Sequence, residues 1–393
     1  MIGRLTLINY HSFLKCSVAG HTMSTSQLSY DQKLELYRNG YIILKGAVQD
    51  DLVAAAVDRM DTAEKKVHLG REKVMTDLIN RSSLTPILND VMGEFDPPSL
   101  AHVAVIPKTK PSDRFNSLGY RDRDTPYFGA VTHMDGNITM RPPQEIQQES
   151  PEEIYRRYIA SGPKGDLGRC ADVIGHNFVP LFEDKEMTLS LGSFTTFAIV
   201  CLSDQTKEGS GQTAVLKGAH FEMERFFRKQ YRVNRCVGPE GPDWPRLNYE
   251  VANRCGLNYV PPEVNQKFLD ENSESTPDGR RWARPTQILM EPGDACLTMY
   301  HIPHTASRNE RGVDARRNVI FRLRNKKRQP DKVVNGATDH PDRGFLEGEW
   351  LDFEEGNNPW ERSKKAMCHM WDEWEGMQKI VAQFREKNET ISA

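Results

Sequence analysis

His133 and Asp135 stand two residues apart in YFGAVTHMDGNITM, just after an apolar, β-prone run. In a strand that spacing points both side chains to one face, so an imidazole and a carboxylate can share one ion. The plainer reading is a polar turn at a strand end, and the pair alone does not decide between them. Its partners come from YHIPHTASRNERGVDARRNVIFRLR, which holds His301, His304, Arg316 and Arg317. A histidine from this segment would complete two imidazoles and one carboxylate. Such a facial triad leaves positions open on a non-haem Fe(II), where a cosubstrate and dioxygen can bind. Mg and Ca prefer all-oxygen shells, and structural zinc closes its site with Cys and His. An arginine at the start of the following strand can grip a carboxylate through two parallel hydrogen bonds. A dicarboxylate held by the iron at one end would need such a clamp at the other. Either arginine alone reads as a surface residue of a basic strand; the order HxD, distal His, Arg favours the clamp.

These residues need a scaffold. SYDQKLELYRNG reads as a helix capped by Ser29 or Asp31 and ended by Gly40. YIILKGAV reads as a buried strand, and QDDLVAAAVDRMDTAEKKV as a second helix with acids in its first turn. AHVAVIP, YFGAVT and MTLSLGSFTTFAIVCLSD read as strands; KEGSGQ is a Gly-rich turn, TAVLKG a strand and HFEMERFFRKQYR a helix. TQILMEPGDACLTMYHIPH predicts two strands about the turn EPGD, and RRNVIFRLR alternates as a strand. The polar stretch 141–186, with a helix-like SPEEIYRRYIA, and the Pro- and Gly-rich stretch 238–285 read as insertions. The tail, PWERSKKAMCHMWDEWEGMQKIVAQFREKNE, predicts an amphipathic helix whose Trp and Met face packs on the body or forms a homodimer surface. Helices first, many short strands, then a closing helix predict a mostly β fold with flanking helices, a double-sheet barrel or jelly roll. No Gly-rich strand-to-helix phosphate loop is present, which argues against Rossmann and P-loop enzymes.

The bulk numbers agree. The 393 residues are 38% hydrophobic and 27% charged, as a globular chain with a real core requires. A net charge of −3 and the lack of a basic arm predict no nucleic-acid partner. No apolar run is long enough to span a bilayer. The seven cysteines are scattered and form no CxxC pair, so a reduced, cytoplasmic protein is expected. Residues 1–26 read as a disordered leader before or around a second Met at 23, with an organelle-targeting peptide as the alternative. The domain expectation is a body over 27–330 and a helical extension over 331–393 packed on it.

Taken in order, the motifs resemble the phytanoyl-CoA dioxygenase-like family of Fe(II)/2-oxoglutarate-dependent dioxygenases, over roughly residues 28–325. LYRNGYIILKGAV resembles the family's opening helix and strand, and THMDGN its HxD. FAIVCLSDQTKEGSGQTAVLKGAH resembles its strand, Gly turn and PGSH-like segment; EPGDACLTMYHIPHTASRN resembles its GD…H…N segment. The resemblance implies a double-stranded β-helix of the jelly-roll, cupin-like kind. It implies Fe(II) held by His133, Asp135 and His304, with His301 the rival for the third position. HTASRN matches the family's distal-His segment, which favours His304. It implies 2-oxoglutarate clamped by Arg316, which shares a strand face with Asn318, rather than by Arg317, which shares one with Val319, Phe321 and Leu323. The stretch from Asp294 to His304 is shorter, and that from His304 to Arg316 longer, than in the family. His220 is expected to be structural, and Met134 to point away from the ligands. The implied activity is hydroxylation, or another oxidation, of a C–H bond of a small-molecule substrate, with O2 consumed and 2-oxoglutarate leaving as succinate and CO2. Asp135 argues for oxygenation over halogenation, because halogenases of this superfamily carry a small residue there. The alternatives are a metal-dependent jelly-roll oxygenase or isomerase without 2-oxoglutarate, and a non-catalytic binding protein on the same fold.

Overall fold

The computed structural model describes residues 26–63, 69–109, 132–134, 138–141, 188–191, 194–234, 243–244, 260–275, 281–326 and 367–391. Most of the expected leader, the expected strand 127–132 apart from Thr132, the helix SPEEIYRRYIA, most of both insertions and Asp135 lie outside the described residues.

Helix α1 (Tyr30–Asn39) starts where the sequence says it must. The Ser29 hydroxyl accepts from the Gln32 amide, and the Gln32 side chain accepts from the Ser29 amide. This capping box uses donors that a helix start otherwise leaves open. Gly40 ends the helix at φ 78°, with its amide bonded to the Leu36 carbonyl. Strand β1 (Tyr41–Leu44) and α2 (Asp50–Thr62) follow. Two short helices, α3 (Lys73–Asn80) and α4 (Leu84–Met92), have no side-chain cap and were not legible locally. Burial of Met75, Leu78, Leu84, Ile87, Leu88 and Val91 holds them in place.

The strands come next: β2 (His102–Ile106), β3 (Ile138–Arg141), β4 (Thr188–Leu191), β5 (Thr196–Cys201) and β6 (Thr213–Val215). Helices α5 (Ala219–Asn234) and α6 (Pro262–Lys267) precede β7 (Glu274–Ser275), β8 (Arg281–Trp282) and β9 (Thr286–Gln287). The stretch read as irregular thus holds a short helix and a two-strand hairpin. β10 (Ala295–Met299), β11 (His304–Ala306), β12 (Arg316–Leu323) and α7 (Gln378–Ile391) complete the order. A five-stranded antiparallel sheet runs β1-β10-β5-β12-β2, and a three-stranded one β11-β6-β9. β3 pairs with β4, and β7 with β8.

Strand alternation divides the large sheet into two faces. Ala198 and Val200, Ala295, Leu297 and Met299, and Val319, Phe321 and Leu323 share a core with α1 to α4 and the tail. Phe197, Ile199, Cys201 and Cys296 face the other way, packing with Val215 of the small sheet and with Ile288 and Met290, which follow β9. The register enforces this: Ile320 pairs with Ile199, and Ile199 with Cys296. Each fully buried aliphatic side chain contributes on the order of 2 kcal/mol.

The tail differs from the single helix expected. Residues Met370–Glu373 and Glu375–Met377 are 3-10 turns, and the α-helix covers only Gln378–Ile391. The reason is spacing. Trp371, Trp374 and Met377 recur every three residues, and a 3-10 turn puts that period on one face, where all three are buried. Tyr37 receives Trp371 and Phe384 at ring centroids 5.1 and 5.2 Å away. Asn325 joins the parts: its amide donates to the Met92 carbonyl at 2.6 Å and to Glu375 Oε1 at 2.9 Å. Among the described residues no helix is long and apolar enough to cross a membrane.

At Gly40 a Cβ would stand 2.5 Å from Nδ1 of the buried His220, in a left-handed backbone conformation. Gly40→Ala is therefore expected to cost about 1–3 kcal/mol. Ser29→Ala, which removes one cap bond, should cost about 1 kcal/mol. Denaturant unfolding with unchanged m-values checks both.

Candidate active site

β11 carries His304 to the small sheet, where its residue pairs in register with Val215. His133 reaches it by an isolated antiparallel bridge. The two backbones exchange both hydrogen bonds, His133 amide to His304 carbonyl and the reverse, each 2.8 Å. That bridge leaves the two imidazoles side by side, with ring centroids 4.5 Å apart. Phe197, from β5 of the large sheet, packs against the His304 ring with centroids 4.8 Å apart. Both histidines are buried, in a layer with apolar walls.

The orientation of His304 is set by a short contact. Its Nδ1 lies 3.0 Å from the Ile302 carbonyl, which can only accept, so Nδ1 carries the proton. Nε2 is then the lone-pair nitrogen, the form in which a histidine ligates a metal. His301 is placed elsewhere: its ring stands 3.6 Å from that of Tyr300 and 5.6 Å from that of Phe227 in α5. Of the two distal histidines, His304 is the one brought to His133. Met134 turns into the core shared with the helices. Asp135 lies outside the described residues, and among the described residues no group of three His, Cys, Asp or Glu side chains is assembled.

The two arginines part company for the reason strands alternate. Arg317 emerges at the surface and pairs with Asp61 at 2.7 Å. Arg316 turns inward and is 4% exposed. Its Nε donates to the Gly211 carbonyl at 2.8 Å and its Nη1 to the Ala104 carbonyl at 3.4 Å. Among the described residues it forms no ion pair. Burial pulls its pKa down to about 10. The side chain still carries its proton at neutral pH, so it is a buried cation whose hydrogen bonds end on neutral carbonyls. That is costly unless an anion joins it.

The Gly-rich turn makes this placement possible. Gly211 sits at φ 81°, and a Cβ there would meet Arg316 Cβ at 3.1 Å and Asn309 Cβ at 3.2 Å. Asn309 closes the loop before β12 by donating to the carbonyls of Ile106 and Asp314 at 3.0 and 2.9 Å. Asp294 of the EPGD turn is a structural anchor: it accepts from Lys45, Gly46 and Glu291, at 2.7, 2.9 and 2.8 Å.

Phe197, Cys201 and Gln205 stand near these residues although sequence patterning did not single them out, whereas Gly211 belongs to the Gly-rich turn KEGSGQ. Gln205 and Asn318 are 113 positions apart yet share a 2.7 Å hydrogen bond. No local signal marks such a pair. Two adjacent imidazoles fit a divalent metal by donor type, and a buried guanidinium fits an anionic carboxylate.

No protein-family model matches the chain, and no curated protein matches it. Among solved structures it is similar to iron-bound HygX from Streptomyces hygroscopicus, at 12% identity and a TM-score of 0.36, over 76% of this chain and 87% of that one. HygX with nickel, 2-oxoglutarate and hygromycin B is similar at 12% identity and TM-score 0.36, over 76% and 88%. The non-heme alpha ketoglutarate dependent epimerase SnoN from nogalamycin biosynthesis follows at 10% and 0.33, over 75% and 80%. At such values the likeness settles neither fold nor activity, and both are read from this chain's own residues.

His220 is structural, at the start of α5. Its Nε2 lies 3.0 Å from the Tyr37 carbonyl, and burial pushes its pKa down to about 3. An unfolded histidine titrates near 6.5. Its contribution is therefore complete above pH 6.5 and is lost as pH falls toward 3, by on the order of 1 kcal/mol per pH unit. His220→Gln should lower stability at pH 7 and flatten that acid limb, as read from unfolding curves between pH 7 and 4.

Proposed function

We propose that the chain is a non-haem Fe(II)/2-oxoglutarate-dependent oxygenase that hydroxylates, or otherwise oxidises, a C–H bond of a small-molecule metabolite. The observation that supports this reading is the ring pair of His133 and His304, taken with the burial of Arg316 on the β12 face turned to the small sheet. That layering supports a double-stranded β-helix.

In this reading His133 and His304 hold the metal from the small sheet, and Asp135, two residues beyond His133, adds the carboxylate. The metal, when bound with 2-oxoglutarate and dioxygen, supplies the oxidising power that converts C–H to C–OH while 2-oxoglutarate leaves as succinate and CO2. The chain's own residues do the rest. The His133–His304 backbone bridge fixes the spacing of the two rings before any metal arrives, so little ordering remains at binding. The Ile302 carbonyl keeps the His304 proton on Nδ1. Phe197 covers one side of that ring and excludes water from it. Arg316 meets the far carboxylate, which relieves the cost of its burial and selects a dicarboxylate over a monocarboxylate.

The test is an anaerobic titration with Fe(II) and 2-oxoglutarate, following the weak visible charge-transfer band of that chelate. His133→Ala and His304→Ala should abolish the band. Arg316→Ala should weaken 2-oxoglutarate affinity by tenfold or more, a charge-assisted pair being worth about 1.5–3 kcal/mol. Arg317→Ala, which removes only a partly exposed ion pair, should leave affinity unchanged and cost at most about 1 kcal/mol of stability. No band in folded, metal-loaded wild type would sink the reading in favour of another metal chemistry or a binding protein.

A further inference from the structure

Two side-chain amides, Asn318 on β12 and its hydrogen-bond partner Gln205, are fully buried, and among the described residues each keeps one polar atom without a hydrogen bond. Gln205 and Asn318 are both 0% exposed, and Asn318 shares the inward strand face of Arg316. Gln205 Nε2 donates to Asn318 Oδ1 at 2.7 Å. Among the described residues Asn318 Nδ2 and Gln205 Oε1 have no partner. Buried donors left open are rare and costly, so this pair asks what completes it.

An amide's shape does not tell its nitrogen from its oxygen; its neighbours decide which way it faces. Here the neighbours form a directed chain. The Cys201 thiol donates to the Ser203 carbonyl at 3.0 Å, and burial pushes its pKa up to about 12, so the donor proton stays on sulfur. The sulfur is then left to accept, and Gln205 Nε2 stands 2.9 Å from it. The Gln205 amide group is thereby turned toward both Cys201 and Asn318 Oδ1. Asn318 must present its other atom, the donor Nδ2, away from Gln205. Gln205 itself is held by the backbone pair with Met290, at 2.9 and 3.3 Å, and by Gln212 Nε2 on its carbonyl at 3.1 Å.

We infer that Gln205 is a positioning residue: it locks the Asn318 amide with its N–H donor toward the anion held by Arg316, and so sets the preference for a 2-oxo acid with a distal carboxylate. This rests on the 2-oxoglutarate reading above. The role is orientation alone; Gln205 does not touch the ligand. Turned the other way, Asn318 would aim an oxygen at a carboxylate and repel it.

The test compares 2-oxoglutarate with pyruvate, a 2-oxo acid that lacks the distal carboxylate. Affinities of both are measured calorimetrically on the anaerobic Fe(II)-loaded full chain. Wild type should favour 2-oxoglutarate. Gln205→Met should cut that preference about tenfold, with pyruvate unchanged. Asn318→Ser carries a hydroxyl that needs no such lock, so adding Gln205→Met to it should have no further effect. Equal weakening of both acids in Gln205→Met, or an unchanged preference, would overturn the inference and leave the amides completed by a buried water only. Should the Gln205 variants not fold, Asn318→Asp, which puts an acceptor where Nδ2 stands, decides: a retained preference overturns it. Wild type that binds neither acid sinks the oxygenase reading and this inference together; a preference lost in Arg316→Gln but kept in Gln205→Met sinks this inference alone.

Discussion

The two-faced large sheet is the constraint on which everything else depends. Side chains alternate along a strand, so one register decides which half of β12 meets the helices and which half meets the small sheet. With Val319 opposite Val200 and Ile320 opposite Ile199, the helices receive Val319, Phe321 and Leu323. The same register sends Arg316 and Asn318 inward toward the small sheet. A slip of one residue would bury Arg316 among aliphatic side chains and turn Phe321 toward the small sheet. The apolar packing that stabilises the fold is thus also what aims the guanidinium.

Against that background the energetics of Arg316 are telling. A cation held by two neutral carbonyls is a poor way to gain stability, since removing a charge from water costs more than such bonds return. Binding sites accept this cost because an anionic ligand then finds a donor fork already oriented. The His133–His304 pair is held by backbone instead. Two backbone hydrogen bonds of 2.8 Å hold a ring pair that side-chain packing alone would leave loose. Preorganisation is thereby built from the backbone of one sheet and the side chains of the other.

Much of this was legible before any coordinates. The capping box at Ser29 and Gln32, the Gly40 stop and the alternation of RRNVIFRLR are local patterns, and each predicts a local outcome. That Arg316 is buried and Arg317 is not follows from the same alternation. Other parts were not legible. The helices α3 and α4 have weak ends and exist because the core covers them. β11 is three residues long and is a strand because β6 lies beside it. The tail carries an aromatic spacing of three that fits either an amphipathic helix or 3-10 turns, and contacts with Tyr37 decided it.

By itself the sequence determined the chemistry on offer: which residues can ligate, which can clamp, and which elements could carry them at a period of two or 3.6. These are short-range properties, set by residue type and by backbone geometry over a few positions. Only the tertiary structure decided which of His301 and His304 meets His133, which carbonyls hold Arg316, and that Gln205 and Asn318 share a hydrogen bond. Those outcomes depend on the register of strands far apart in the chain, and register is fixed by burial of whole faces rather than by any one residue's preference.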